Sequence, residues 1–170
     1  MPDGPTPGSG STGGSDIQLD DLYRDILLDH YRHPRHKGEL GDQATHVADG
    51  ANPLCGDELR VELTVEDGAV TGVAIEGRGC SISQASASMM TVYVDGRPVA
   101  DALAAVETFQ RMMLENEIPP DEFGDIEALT GVRKFPVRVK CASLSWKTLE
   151  QALIADNESE PVTTDNRSEA

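Results

Sequence analysis

Four residues form the main candidate site for a metal ion, and they lie in three separate parts of the sequence. Cys55 and Asp57 are two positions apart with Gly56 between them, whereas Cys80 and Cys141 stand alone. In an extended segment, residues two apart point to the same side, so the Cys55 and Asp57 side chains can face one point. Gly56 allows the backbone to bend around that point. Three thiolates and one carboxylate are a donor set that Zn²⁺ binds tetrahedrally.

The segment between Cys55 and Cys80 predicts a β-hairpin. Residues 58–66 and 69–76 show the alternation of a strand, and Asp67-Gly68 between them is a strong turn signal. Because antiparallel strands bring the start of the first close to the end of the second, we expect Cys80 to return near Cys55. Cys80 also precedes a predicted helix, whose N-terminus favours a thiolate.

Cys141 lies in the first turns of the last predicted helix, which begins near Pro136 and ends near Ile154. It is about 100° round the helix from the apolar stripe, so it faces either the sheet edge or solvent. With zinc, the ligand set would carry about −2 by formal charge, which Arg138 and Lys140 can balance. A lone buried cysteine is usually a small apolar residue. From the residues alone, a shared site and separately buried cysteines both remain open.

Apolar residues at helical spacing predict the remaining elements. We expect helices over residues 19–32, from Ser81 or Ser83 as a cap to Asp95, over 99–115, over 126–130 and over 136–154. Their predicted core faces are, in chain order, Leu22, Tyr23 and Ile26; Ile82, Ala85, Met89 and Val92; Ala102, Val106, Phe109 and Met113; and Ala142, Trp146, Leu149 and Leu153. With residues 46–52 as an edge strand, the fold class is α+β: a small antiparallel sheet of three strands packed against about five helices.

Composition predicts one domain with two tails. Residues 1–17 and the acidic residues 155–170 have little apolar content and are expected to be disordered, which leaves a domain over 18–154. The formal net charge of −16 argues against nucleic acid and anionic lipid as partners. Neither a signal peptide nor a membrane-spanning apolar run is recognisable, so the expected compartment is the cytoplasm.

Several motifs in order resemble the IscU/NifU-type family of iron–sulfur assembly proteins, whose fold is SufE/NifU-like. They are Cys55-Gly-Asp57, Gly79-Cys80-Ser81, Lys140-Cys141, "LLDHYRHPRHKGEL" (27–40) and "VDGRPVADAL" (94–103). The likeness covers about residues 20–154. IscU-type scaffolds have a histidine just before the third cysteine, where this chain has Lys140. This difference, a longer stretch over 107–134 and "KFPVRVKCASLSW" (134–146) resemble the SufU branch, a zinc-dependent sulfur carrier serving the SUF cysteine desulfurase.

The resemblance implies Zn²⁺ bound by Cys55, Asp57, Cys80 and Cys141. It also implies a sulfurtransferase in which Cys55 accepts persulfide sulfur from a SufS-type cysteine desulfurase, with Arg138 assisting at the partner interface. A SUF scaffold complex would take the sulfur downstream. The alternative is a scaffold that assembles an iron–sulfur cluster on the three cysteines, and a third possibility is a structural zinc adaptor. A second metal site at His30, His33 and His36 is disfavoured, because Pro34 interrupts the helix between them.

Overall fold

The computed structural model describes residues 11–154 and 162–163, with side chains described from residue 20 to residue 154. The elements are α1 (Ser11–Arg32), a 3-10 turn (Gly41–Gln43), β1 (His46–Asn52), β2 (Asp57–Glu66), β3 (Ala69–Arg78), α2 (Ser81–Val94), α3 (Val99–Leu114), a 3-10 segment (Asp121–Val132), α4 (Pro136–Ile154) and β4 (Val162–Thr163). The fold is therefore α+β, with helices on a small sheet, as predicted.

The predicted tails fall mostly outside the described residues. Residues 1–10, 155–161 and 164–170 are not among those the structure describes. Within the predicted N-terminal tail, α1 begins at Ser11, earlier than the expected start at Leu19. Within the predicted C-terminal tail, Val162–Thr163 forms a short strand.

The sheet has the order β3-β2-β1-β4. The first three strands are antiparallel, and the two residues of β4 pair in parallel with Gly50 and Ala51 of β1. The predicted hairpin is confirmed. Asp67 and Gly68 have φ values of 52° and 77°, as expected of a two-residue turn whose twist matches that of the strands. β3 continues to Arg78, two residues beyond its expected end at residue 76.

Strand register gathers the candidate site at one end of the sheet. Asn52, the last residue of β1, lies opposite Asp57, the first residue of β2. Glu58 in turn lies opposite Arg78, the last residue of β3. The β1–β2 turn and the β3–α2 junction therefore lie at the same end of the sheet, because the strand ends to which they are attached are paired with one another.

The helices bury one face of the sheet. Val61, Leu63 and Ile75 on that face are at most 3% exposed, and α2 and α4 pack over them. β1 can approach α4 closely because residue 50 is glycine: a Cβ there would overlap Thr148 Oγ1 and lie 3.0 Å from Leu144 Cδ1. This close approach holds the start of α4 beside the end of β1. No helix within the described residues is both long enough and apolar enough to span a bilayer.

Most predicted core faces are confirmed, and two residues are corrections. The four predicted core residues of α3 are all at most 3% exposed, and in α4 the Trp146 ring is fully buried and stacks on Phe109 with centroids 4.6 Å apart. Leu22 is 52% exposed. The buried face of α1 contains Leu27 and His30 instead, so it is rotated about the helix axis relative to the predicted face. Val92 is 53% exposed on the outer side of α2.

The predicted cap of α2 is also wrong. Its N-cap residue is Cys80 rather than Ser81 or Ser83. The Ser83 hydroxyl instead donates to the Cys80 carbonyl oxygen over 3.2 Å.

Candidate metal centre

Four different parts of the fold carry the candidate ligands. Cys55 lies in the β1–β2 turn, and Asp57 is the first residue of β2. Cys80 immediately precedes α2, and Cys141 lies in the second turn of α4. Gly56 has a φ of 70°, which provides the bend expected between Cys55 and Asp57.

Cys55, Asp57 and Cys141 converge on one point. Each offers a ligand atom, these atoms all lie within 4.8 Å of one another, and within the described part of the chain this is the group that could hold a metal ion. The Cys55 and Cys141 sulfurs are 3.1 Å apart. Asp57 and Cys141 are buried and Cys55 is half-buried. Of the two orientations expected for Cys141, the structure has the one towards the sheet.

Cys80 joins this group through Asp57. Its backbone N–H donates to Asp57 Oδ1 over 2.8 Å, and its sulfur lies 3.8 Å from Asp57 Oδ2. The Asp57 carboxylate therefore contacts both the main chain and the side chain of Cys80. All four predicted ligands lie at one end of the sheet, and their coordination of a metal ion remains a prediction.

Gly79 makes room for the Asp57 carboxylate. Its φ of 152° lies in the region that disfavours other residues, and a Cβ there would overlap Asp57 Oδ1 and lie 2.9 Å from Asp57 Cα. A side chain at residue 79 would therefore displace Asp57 from its place beside Cys80. The sequence analysis gave Gly79 only as part of the Gly79-Cys80-Ser81 motif, and this role was missed.

Asn52 is a second residue whose role was missed from the sequence. Its side chain is 1% exposed, and its Nδ2 lies 3.8 Å from the Cys141 sulfur. Its Oδ1 accepts from the Leu54 N–H, and its carbonyl oxygen accepts from the Cys55 N–H, both over 3.2 Å. The Asn52-Pro53 dipeptide is a turn signal and could have indicated this residue.

The protein groups alone polarise the thiols of Cys80 and Cys141 unequally. A hydrogen bond from Cys141 lowers the pKa of Cys80 to about 6 against the opposing effect of burial, and the N–H groups of Ser83 and Ile82 at the start of α2 contribute to the decrease. The pKa of the Cys141 thiol is raised, first by its hydrogen bond to Cys80 and then by burial.

Arg138 stands on the exposed first turn of α4. It makes no ion pair with any other residue in the described part of the chain, and Phe135 and Val137 beside it are 51% and 53% exposed. Residues 128–149 contain five basic residues and no acidic one, in a chain whose net charge is −16. The surface next to Cys141 is thus locally basic and partly apolar.

The histidines near the N-terminus have structural partners. His30 is 2% exposed, its Nδ1 lies 2.8 Å from Ser88 Oγ, and its Nε2 lies 3.0 Å from Asp125 Oδ2. His36 lies 3.8 Å from an Asp95 carboxylate oxygen. His30 connects α1 to α2 and to the 3-10 segment at 121–132, so its side chain is committed to packing.

Comparison with known proteins agrees with this geometry. Residues 22–153 match the family model described as NifU-like N terminal domain. The chain is 48% identical over 136 residues to a zinc-dependent sulfurtransferase SufU of Bacillus subtilis (strain 168), a match that covers 79% of this chain and 91% of that protein. It is 36% identical over 132 residues to an iron–sulfur cluster assembly scaffold protein IscU of Thermotoga maritima, covering 78% of this chain and 92% of that one.

A solved structure supports the same relationship. A crystal structure from Fervidobacterium islandicum AW-1, described as an iron–sulfur cluster assembly scaffold protein for the SUF system, superposes with a TM-score of 0.71 at 34% identity. The match covers 75% of this chain and 93% of that one. Given these matches and the convergence of the motif residues at one sheet end, the chain belongs to the NifU-like N-terminal domain family of iron–sulfur assembly proteins, in its SufU branch.

Proposed function

We propose that this protein is a zinc-dependent sulfur carrier that accepts persulfide sulfur on Cys55 from a SufS-type cysteine desulfurase and delivers it to SUF iron–sulfur cluster assembly. The observation that carries the proposal is the convergence of Cys55, Asp57 and Cys141, with Cys80 on Asp57. The 48% identity to a relative named zinc-dependent sulfurtransferase supports it.

The donor set fits zinc better than a hard cation. Three sulfurs and one carboxylate oxygen are available, and Mg²⁺ and Ca²⁺ prefer oxygen ligands throughout. Bound Zn²⁺ would keep the cysteine sulfurs as thiolates at neutral pH. The ligand residues would be Cys55, Asp57, Cys80 and Cys141. Asp57 also holds the Cys80 N–H, so it positions one candidate ligand while offering its own second oxygen.

Cys55 is accessible enough to receive sulfur. It is half-buried in a turn, as Cys80 is before α2, whereas Cys141 is 0% exposed on a helix. The choice of Cys55 over Cys80 follows the family resemblance. The Cys55 thiolate would attack the terminal sulfur of the desulfurase persulfide. That sulfur forms a new S–S bond to Cys55, the S–S bond to the desulfurase cysteine breaks, and the departing cysteine thiolate takes the electron pair. No external oxidant or reductant is needed.

Arg138 would act at the partner interface. It is exposed in the first turn of α4, as Val137 is, with the exposed Phe135 directly before the helix and Cys141 three residues further along it. A charged group beside exposed apolar side chains is a combination that protein interfaces use. Its assignment follows the family resemblance, and its free position on the surface is compatible with it.

Replacing Cys55 by Ala tests the acceptor. With a SufS-type desulfurase and sulfur-labelled cysteine, the wild-type chain should become labelled and Cys55→Ala should fall to the background of a reaction without this protein. The control is Glu107→Ala at an exposed residue of α3, which leaves all three cysteines and Asp57 in place and should be labelled like wild type. Label on Cys55→Ala at the wild-type level would refute the assignment.

A second candidate function is the assembly of an iron–sulfur cluster on Cys55, Cys80 and Cys141. It is favoured by the 36% identity to a relative named as an IscU scaffold. The two functions differ in the metal that the purified protein holds. Colourless protein containing about one zinc per chain favours the carrier, whereas a coloured chromophore that depends on all three cysteines favours the scaffold.

A further inference from the structure

Asn52 is a buried polar residue outside the ligand set. It is the last residue of β1, and it is 1% exposed. A buried amide is stable only when its donors and acceptors find partners, and the side-chain partners of Asn52 are the Cys141 sulfur and the turn that carries Cys55. The amide is therefore in a position to influence the metal centre.

The orientation of the amide follows from its neighbours. Asn52 Oδ1 lies 3.2 Å from the Leu54 backbone nitrogen, which can only donate, so the oxygen must face Leu54. The opposite end of the amide, Nδ2, then faces the Cys141 sulfur at 3.8 Å. The side chain is thus a donor to sulfur at one end and an acceptor for the turn at the other.

The Asn52 amide N–H faces the Cys141 sulfur, which is the most buried of the three cysteine sulfurs. Cys141 is 0% exposed, so a thiolate there has no water to solvate it. A hydrogen bond to a charged acceptor is stronger than one to a neutral acceptor, so the Asn52 N–H would stabilise a metal-bound thiolate at this position. The same residue also holds the turn of Cys55, since the Asn52 carbonyl oxygen accepts from the Cys55 N–H over 3.2 Å.

We propose that Asn52 is a positioning residue of the metal centre, which stabilises Cys141 as a thiolate ligand and shapes the turn that carries Cys55. The inference rests on the proposed metal site. It makes the centre asymmetric: the buried sulfur is held by a side-chain donor from β1, and the half-buried sulfur is held through the β1–β2 turn.

Asn52→Asp tests the donor function of the amide while it keeps the acceptor function. It retains an oxygen for the Leu54 N–H, and it replaces the donor to Cys141 by a second anionic oxygen. We expect the zinc affinity of the full chain, measured by competition with a chelator, to fall about 10- to 100-fold below wild type, the range typical of lost outer partners of metal ligands, and metal release to be faster. The matched control is Asn116→Asp, which makes the same charge change at an exposed residue outside the site.

The absorption spectrum of Co²⁺-loaded protein provides a second measurement, which would not change if Asn52 only stabilised the fold. In Co²⁺-loaded protein, the thiolate-to-metal charge-transfer band should shift in Asn52→Asp and remain in place in Asn116→Asp. If Asn52→Asp does not fold, Asn52→Ala removes the donor without adding charge and should shift the same band. An unshifted band with wild-type metal release in the folded variant would overturn the proposal. Wild-type protein that binds neither zinc nor cobalt would instead overturn the proposed metal site itself.

Discussion

At the scale of single residues, the centre depends on Asp57 as much as on the cysteines. This carboxylate accepts the Cys80 N–H over 2.8 Å, lies 3.8 Å from the Cys80 sulfur, and is 1% exposed. A buried carboxylate needs such donors or a cation to remain ionised. The residue that leaves space for it is Gly79, which has no side chain to contribute.

Gly79→Ala should therefore damage the metal centre. The new Cβ would overlap the Asp57 carboxylate, and the backbone would have to leave its φ of 152°, so we expect a loss of about 1–3 kcal/mol in the free energy of unfolding and faster zinc release. Gly38→Ala is the matched control, since Gly38 has a φ of 139° but no atom lies within 4 Å of a Cβ added there. Denaturant titration and zinc release into a chelator measure the two effects. Equal zinc release from both variants would show that backbone strain alone, and not crowding of Asp57, explains the result.

At the scale of elements, Glu62 attaches the segment after α1 to the sheet. This β2 residue is 7% exposed; its Oε1 accepts from the Leu40 N–H over 2.7 Å, and its Oε2 accepts from Arg60 over 3.2 Å. Burial by itself raises the pKa of the Glu62 carboxyl, but the Leu40 N–H, Arg60 and the Gly41 N–H together bring it below its ordinary value of 4.5. The ionised form is therefore the one that stabilises the fold.

Glu62→Gln should lower stability in a pH-dependent way. Because the folded pKa lies below 4.5, the contribution of the charge is complete above pH 4.5 and is lost as the pH falls through the folded value. We expect the variant to be less stable than wild type by about 1.5–3 kcal/mol at pH 7, with the difference shrinking in acid. Free energies of unfolding from pH 7 to pH 3 measure this, with the exposed Glu76→Gln as control. A difference that stays constant over that range would contradict the role of the charge.

At the scale of the whole molecule, the candidate ligands join three parts of the chain that are distant in sequence. The intervals from Cys55 to Cys80 and from Cys80 to Cys141 enclose the β-hairpin, two helices and the 3-10 segment. A metal ion at this point would cross-link the sheet end to α2 and α4. The hydrophobic core, however, lies behind the centre: Trp146, Phe109, Leu63 and Leu149 are all 0% exposed and do not depend on the ligands.

Zinc removal should therefore weaken the protein without unfolding it. A ligand at 100 times its dissociation constant stabilises the folded state by about 2.7 kcal/mol, which corresponds to on the order of 10 °C in the thermal midpoint of a domain of this size. Calorimetry before and after chelation measures the shift, and far-ultraviolet circular dichroism at 25 °C checks that the secondary structure remains. Loss of that signal on chelation would show that the core depends on the metal, and an unchanged midpoint would show that no metal had been bound.

Local rules were sufficient for much of the fold. Alternation and the Asp67-Gly68 turn predicted the hairpin, and Pro136 with the following apolar stripe predicted α4 at the observed bounds. The same rules predicted that Cys55 and Asp57 face one side, because this depends only on extended backbone geometry. They also predicted that Cys80 lies near both residues, because this depends only on strand pairing within one hairpin.

Tertiary packing decided the rest. The position of Cys141 depends on how closely α4 approaches β1 at Gly50. The spacing of apolar residues in the sequence predicts the helix and its buried face, but it does not determine the distance between that helix and a strand. For the same reason, the sequence did not show that α1 would bury Leu27 and expose Leu22, or that Asn52 would face Cys141 across the core. The chain by itself determined which donors it offers and which strand presents them. Only long-range packing, to which many side chains contribute together, determined that the donors share one site.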